Sequence, residues 1–433
     1  MEKKTLLWDV TDECNLRCCH CYNAEKYFVK RNYELLDISQ IKSALIKFHN
    51  AGYNHIHLLG GEPLIRQDIW EVIKEADKHN INITLNTNGM FLTSKNILRL
   101  LSEKNISQII ISLDGPTEES NDKIRGNGVF KIVTKNIRNL TNAIKKHNHK
   151  ILTAISTVIT EENAPEIYKF KTLIPSLGVD YLFFMSIYDC GNARIKKLKS
   201  SDYFIKIIPH LVNAIKIFSK YPNFNFYLDA KPKLATYLNR IIGKKIIAVE
   251  PSTCGAGDSI LSMDPDGNLY PCGAFSQPNL KIKKTNIPCV NINNLKTVDE
   301  LFNLENFKNF FKFKKSTYTD YCKSCEFLSI CHGVCPVYIE EDKIPLECIA
   351  ADYFQDQMFN EMMSMVFKLV KTNYQANNEV ATFVLDSIKQ RLSFKEILYK
   401  LSKKYKVDLS VLIRDIGGYI SDLIIEDIIT MEY

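Results

Sequence analysis

Three thiols stand close together near the amino end: Cys14, Cys18 and Cys21, spaced CxxxCxxC within residues 11–22, TDECNLRCCHCY. Three thiolates on one loop can ligate three irons of a cubane iron-sulfur cluster and leave the fourth iron open to a substrate or cofactor. The competing chemistry is zinc, which usually wants a fourth ligand and a paired CxxC or His pair nearby. A second group follows far downstream: Cys254, Cys272, then Cys322, Cys325, Cys331 and Cys335 with two, five and three residues between them, and finally Cys348. Seven ordered cysteines make a strong metal signal, whereas Cys322 and Cys325 alone suit a zinc ribbon equally well. Cysteines bunched at short spacings behind an opening too short for a signal peptide point to metal ligation in a reducing compartment. The cytoplasm is the expected location.

Secondary structure must place these thiols. From residue 5 to about 187, β-rich apolar runs alternate with amphipathic stretches, the pattern of repeated βα units around a parallel sheet. Six strands are predicted at 6–10, 55–59, 83–86, 109–113, 152–158 and 181–187, with helices such as 39–50 and 69–79 between them. Sites in such sheets and barrels gather at the C-terminal ends of the strands, and the first thiol group directly follows the first strand. A helical linker is expected around 202–219. From about 250 to 350 periodicity fades among cysteines, glycines and prolines, and a helix is expected near 352–370. Three short amphipathic helices close the chain. Val380, Phe383, Val384 and Ile388 share one face; Ser393 and Glu396 form a capping box ahead of Ile397, Leu401 and Tyr405; Leu412, Ile416, Tyr419 and Leu423 form a third stripe.

Bulk properties set limits. A chain of 433 residues suggests two or three domains with ample core. A net charge of +7 spread along the chain gives no ground for a nucleic-acid partner. No segment approaches the roughly 18 apolar residues of a membrane span.

The motif at 11–22 closely resembles that of the radical S-adenosylmethionine (SAM) superfamily, and later loops fit it in order. Gly60-Gly61-Glu62-Pro63 resembles the family's GGEP motif, which implies that its backbone and Glu62 receive the methionine ammonium of the cofactor; alone, the tetrapeptide is a turn. Thr87 and Asn88 after the third strand, and Ser112 and Asp114 after the fourth, supply hydroxyl, amide and carboxylate groups suited to ribose and amino-acid recognition. Arg125 matches the family arginine that pairs with the cofactor carboxylate, a task for a bidentate guanidinium. Met185 falls where the family packs a residue against adenine, and His20 where it sets an aromatic ring beside the cluster, although both read equally well as core residues. The resemblance implies an α/β fold with a partial (β/α)6 TIM-like barrel. In such enzymes an electron from the reduced 4Fe-4S cluster cleaves SAM to a 5'-deoxyadenosyl radical, which abstracts hydrogen from substrate.

The seven later cysteines resemble the SPASM pattern, which implies two auxiliary 4Fe-4S clusters and three clusters in all. Cys254, Cys272 and Cys335 would hold the first auxiliary cluster, and Cys322, Cys325, Cys331 and Cys348 the second. The fourth site of the first is then open to a substrate thiolate or filled by Cys190 or Cys289. Cys190, after the sixth strand, is a candidate catalytic residue, with a buried free thiol as the alternative. Residues 377–433 resemble the PqqD peptide chaperone of pyrroloquinoline quinone biosynthesis, a winged-helix-like module that recognises leader peptides by strand addition. Strands there would have to come from 370–381, and a helical cap is the alternative. The domain scheme is a radical SAM barrel at 1–200, a helical linker at 201–249, a SPASM domain at 250–350, a connecting helix at 351–376 and the PqqD-like module at 377–433.

Together these resemblances imply an oxidoreductase that installs a thioether or carbon-carbon crosslink in a ribosomal precursor peptide, with flavodoxin or ferredoxin as electron donor. Formylglycine maturation of sulfatases is an alternative, lowered because Gly273 rather than an acidic residue follows Cys272. Peptide-derived cofactor biosynthesis is another. A zinc-bound peptide-binding scaffold is opposed by the joint presence of the cysteine trio, Glu62 and Arg125.

Overall fold

The structure, a computed structural model, describes residues 4–28, 35–249, 254–276, 290–315, 319–331, 333, 335, 344–372 and 374–432. Cys289 lies outside them. Seven strands lie side by side in chain order, each parallel to the next: β1 (Lys4–Asp9), β2 (Tyr53–Leu59), β3 (Asn82–Thr87), β4 (Ile106–Ser112), β5 (Leu152–Val158), β6 (Tyr181–Met185) and β7 (Phe226–Leu228). The first six answer to the predicted strands. Alternation explains their two faces: Leu182 and Phe184 of β6 are fully buried, while Tyr181, Phe183 and Met185 between them are only half-buried. Phe184 meets Phe170 and Phe218, from the helices Phe170–Leu177 and Tyr203–Phe218, at centroid distances of 6.1 Å.

One expectation needs correction. The stretch 201–249 is not purely helical, because β7 extends the sheet between the helices Tyr203–Phe218 and Pro232–Ile242. Three residues are too few for a period-2 signal to register. The stretch 250–350, where periodicity fades, also adds strands to the sheet. β8 (Ile260–Met263) pairs parallel with the free side of β1, and β9 (Asn268–Tyr270) and β10 (Val290–Asn291) follow antiparallel, giving one ten-stranded sheet in the order β10-β9-β8-β1-β2-β3-β4-β5-β6-β7. Leu261, Met263 and Leu269 are buried in the same core as Leu6 and Trp8. The sheet runs from β10 to β7 without closing, as a partial barrel requires.

A second core lies at the carboxyl end, where the helices Glu379–Lys389, Phe394–Tyr405 and Leu409–Ile425 pack around Phe367, Leu398 and Ile420. The expected capping box of Ser393 and Glu396 is present. The strands are displaced from their expected place: β11 (Val366–Leu369) pairs antiparallel with β12 (Ile429–Glu432), and the described residues of 370–381 contribute none. The connecting helix correspondingly ends at Met362. Phe367, fully buried in this second core, shows why the short segment after that helix is held as a strand. Arg240 joins the two cores through hydrogen bonds to both carboxylate oxygens of Asp422, each 3.1 Å, and to Gln355 at 3.2 Å. Among the described residues no helix is long and apolar enough to cross a membrane.

Candidate active site

The cysteine loop leaves β1 and is zipped to the loop after β2. Gly61 N–H donates to Thr11 C=O (2.7 Å) and Glu62 N–H to Glu13 C=O (2.8 Å). Glycine is required here by contact: a Cβ at Gly61 would sit 2.0 Å from the Glu13 carbonyl oxygen, and one at Gly60, where φ is +124°, 2.3 Å from that of Thr11. From the other side the loop after β6 closes in. Asn192 donates from its backbone to Cys21 C=O (2.9 Å) and from its side chain to Cys18 C=O (2.8 Å), and Gly191 leaves no room for a Cβ against Cys21. Cys190, next to this junction, is buried. Gly61→Ala is therefore expected to destabilise the loop by about 1–3 kcal/mol and to lower iron retention at the first cysteine group, measured by iron content after desalting; retention equal to wild type contradicts the close-approach account.

Glu62 is fully buried behind this zipper. Its carboxylate accepts from Asn88 N–H (2.7 Å), the Thr87 hydroxyl (2.8 Å) and Leu64 N–H (3.1 Å). Burial pushes its carboxyl up to about 7 in spite of those three donors. Among the described residues no cation forms an ion pair with it. Thr87 and Asn88 thus hold Glu62, and Asn88 also reaches Asn15 (2.8 Å) and the Cys14 sulfur (3.7 Å). Ser112 ends β4, half-buried, directly beside Ser156 of β5. Met185 ends β6 beside Val158 and is likewise half-buried.

Asp114 and His20 meet each other beside the cysteine loop. Asp114 is fully buried, with its Oδ2 2.7 Å from His20 Nε2 and 2.7 Å from Arg125 Nε. Burial would raise its carboxyl, but Arg125 and then His20 outweigh it and hold the group at about 2. Arg125 Nη1 lies 3.9 Å from the Cys18 sulfur. Burial pushes the Cys18 thiol up to about 12 against the opposing charge of Arg125, with Cys21 and Cys14 close enough to add to the rise. The three thiols therefore share one electrostatic neighbourhood. Among the described residues, however, no three Cys, His, Asp or Glu side chains converge on one metal position as they stand.

Among the later cysteines, Cys254, Cys272 and Cys335 lie near one another, and Cys331 lies near both Cys325 and Cys348. Cys254 and Cys272 pack in one small cluster with Phe275 and Phe310. Burial pushes the Cys272 thiol up to about 12, with Cys335 and Cys254 as its thiol neighbours. Cys348 is raised by burial beside Glu347 and Cys331, and Cys331 by burial with Cys325 among its neighbours. Thr319 donates to the Cys322 sulfur (3.3 Å). Two residues that the sequence reading did not single out face this region. Tyr188, just past β6, donates to Asp229, just past β7, at 3.3 Å, and the charges acting on Tyr188 include Cys335 and Cys272. Their position at strand ends was the available signal, and β7 was the strand not foreseen.

A sequence profile of the radical SAM superfamily matches residues 8–173, from β1 and the cysteine trio through Arg125 to β5 and beyond. The chain carries a radical SAM domain over these residues. A second profile, that of the SPASM iron-sulfur cluster-binding domain, matches residues 254–326, which takes in Cys254, Cys272, Cys322 and Cys325. Among curated relatives, it is similar to the mycofactocin maturase MftC of Mycobacterium tuberculosis, 27% identical over 279 residues, 62% of this chain and 63% of that protein. It thus spans less than two thirds of MftC. It is also similar to the AdoMet-dependent heme synthase of Oleidesulfovibrio alaskensis, 23% identical over 340 residues, 76% of this chain and 82% of that protein. Among solved structures, SuiB of Streptococcus suis bound to S-adenosylmethionine shares the fold with a TM-score of 0.61 at 17% identity, covering 78% of this chain and 76% of that one. anSMEcpe with bound AdoMet does so with a TM-score of 0.60 at 20% identity, covering 82% and 97%.

Proposed function

We propose that this radical SAM/SPASM chain is a peptide maturase that installs a thioether or carbon-carbon crosslink in a ribosomal precursor peptide. The observation that carries its cofactor assignment is the buried carboxyl of Glu62 and the buried guanidinium of Arg125 beside the cysteine trio. Among the described residues Glu62 forms no ion pair, and Arg125 is fixed next to Cys18, so the ammonium and carboxylate of an amino-acid end find complementary groups on the two sides of the loop. Cys14, Cys18 and Cys21 would hold the site-differentiated 4Fe-4S cluster, with Gly60, Gly61, Thr87, Asn88, Ser112 and Met185 around the cofactor. Cys254, Cys272 and Cys335, and Cys322, Cys325, Cys331 and Cys348, would hold two auxiliary clusters. When bound, the reduced cluster and SAM supply a 5'-deoxyadenosyl radical for hydrogen abstraction. The chain's own part is to fix both ends of the cofactor and to present substrate between the trio and the later cysteines, where Tyr188 and Asp229 stand. A flavodoxin or ferredoxin in the cytoplasm would deliver the electron.

The peptide as substrate is supported by the relatives: MftC is named a maturase, and SuiB has also been solved with the precursor peptide SuiA bound. Anaerobic co-expression with candidate precursor peptides from short reading frames flanking its gene tests it. Loss of two hydrogens per crosslink by mass spectrometry is the expected result; an unmodified peptide with an iron-replete enzyme that cleaves SAM would overturn the substrate assignment. Zinc in place of iron and sulfide would overturn the radical reading itself.

For the carboxyl-terminal module, recognition of the leader by strand addition is supported by β11. Val370 N–H donates to Ile428 C=O at the end of the β11–β12 pair (2.8 Å), so by alternation the Leu369 amide points away from β12. Leu369→Pro removes that donor. Leader affinity, measured by fluorescence anisotropy on the full chain, is expected to fall about tenfold, while peptide-independent SAM cleavage is retained. Unchanged affinity excludes this edge. Deleting 377–433 is a poorer test, because it strips β12 from β11 and uncovers Phe359 and Phe367.

A further inference from the structure

Asp114 is placed by its chain neighbours before it meets any charge. Its backbone N–H donates to Asn121 Oδ1 (3.0 Å), its C=O accepts from Asn163 Nδ2 (2.6 Å), and its Oδ1 accepts from Val158 N–H at the end of β5 (2.8 Å). Gly115 beside it leaves no room for a Cβ, which would lie 2.3 Å from Asn121 N. One oxygen remains. Oδ2 holds His20, which belongs to the cysteine motif, and Arg125, which ends the helix Glu118–Arg125. The same two segments are joined again where Cys19 N–H donates to Ile124 C=O (2.9 Å). A carboxylate that exposes no surface, with its second oxygen between a histidine and an arginine, is turned toward its own protein rather than toward ribose or substrate.

We propose that Asp114 is a positioning residue: it clamps Arg125 so that the guanidinium faces the Cys18 sulfur and the cofactor's carboxylate, and through His20 it fixes the cysteine loop against the helix that carries Arg125. This rests on the radical SAM reading of the trio. A guanidinium free to rotate would lose much of its pairing with a carboxylate, because a bidentate contact is a matter of orientation as well as charge. Asp114→Asn keeps Oδ1 for Val158 but turns an amide NH2, a donor only, toward the Arg125 guanidinium, which is also a donor only.

The test uses the full chain with its clusters reconstituted, and reads the change in the reduced cluster's EPR signal as SAM is added. In wild type that change appears at low SAM concentration; its complete absence there would overturn the radical SAM reading rather than the clamp. In Asp114→Asn, with iron content and the SAM-free signal unchanged, the half-saturating SAM concentration is expected to rise by about tenfold, the loss of one charge-assisted contact. Arg125→Gln is expected to do the same, and the double variant to be no worse than Arg125→Gln alone, because Asp114 acts through Arg125. Additive losses, or a wild-type titration in Asp114→Asn, overturn the clamp. Where Asp114→Asn does not fold, Arg125→Lys replaces it. The ammonium still neutralises Asp114 but cannot span from its carboxylate to the Cys18 sulfur, so wild-type SAM affinity in that variant overturns the proposal equally.

Discussion

Replacing Cys14 by Ala is expected to abolish reductive cleavage of SAM, lowering it by at least about three orders of magnitude, or roughly 4 kcal/mol of barrier. Two remaining thiolates cannot hold a cluster that needs three protein ligands and one open iron. The Cys14 sulfur accepts from Leu16 N–H at 3.4 Å and from Asn88 Nδ2 at 3.7 Å, contacts that orient it. The side chain is only partly buried, so the substitution spares the core. Iron analysis should show the loss of about four irons from a total near twelve, the count for three 4Fe-4S clusters. Cys331→Ala provides the contrast, since the proposed ligand assignment places it only in the second auxiliary group. Its SAM cleavage is expected to survive while peptide modification is lost, measured by 5'-deoxyadenosine release and by mass spectrometry. Intact cleavage in Cys14→Ala would refute the ligand assignment outright.

Much of this was legible because the relevant signals are local. A CxxxCxxC run, a Gly-Gly-Glu-Pro turn and βα alternation are each written within a few residues, and β1 to β6 lie where alternation placed them. What sequence could not show was pairing across long separations. β8 joins β1 across some two hundred and fifty residues, and the four residues of β11 find their partner only at the last strand of the chain. The same limit explains Asp114. Its neighbours Ser112 and Gly115 suggested a ligand loop, but whether a carboxylate at a strand end faces a cofactor or its own protein depends on His20 and Arg125, ninety-four residues before it and eleven after it. Tyr188 and Asp229 were missed for a related reason: Asp229 has meaning only once β7 is known to stand beside β6.

Glu62→Gln is expected to produce the second large effect, and to reverse sign between the free and the cofactor-bound protein. In the free protein burial raises the Glu62 carboxyl from its ordinary 4.5 to about 7, with Arg125 the one charged neighbour among its main influences and too weak to prevent it. The folded state then keeps a proton that the unfolded chain releases, so the native state loses stability as pH rises through that window and the loss is complete above about 7. The interval corresponds to about 3 kcal/mol at most. Thermal melts of cofactor-free protein should therefore fall between pH 5 and 8 in wild type and be flatter in Glu62→Gln, which cannot ionise. Binding a cation opposes the trend. An ammonium beside Glu62 favours its charged form, so SAM affinity should weaken about tenfold for each pH unit below 7, with a proton released on binding that calorimetry in buffers of different ionisation enthalpy would count. Glu62→Gln should bind SAM weakly, without proton release or pH dependence. A wild-type affinity in that variant would mean that the ammonium is received elsewhere, and that the zipper of Gly60 and Gly61 against the cysteine loop serves packing alone.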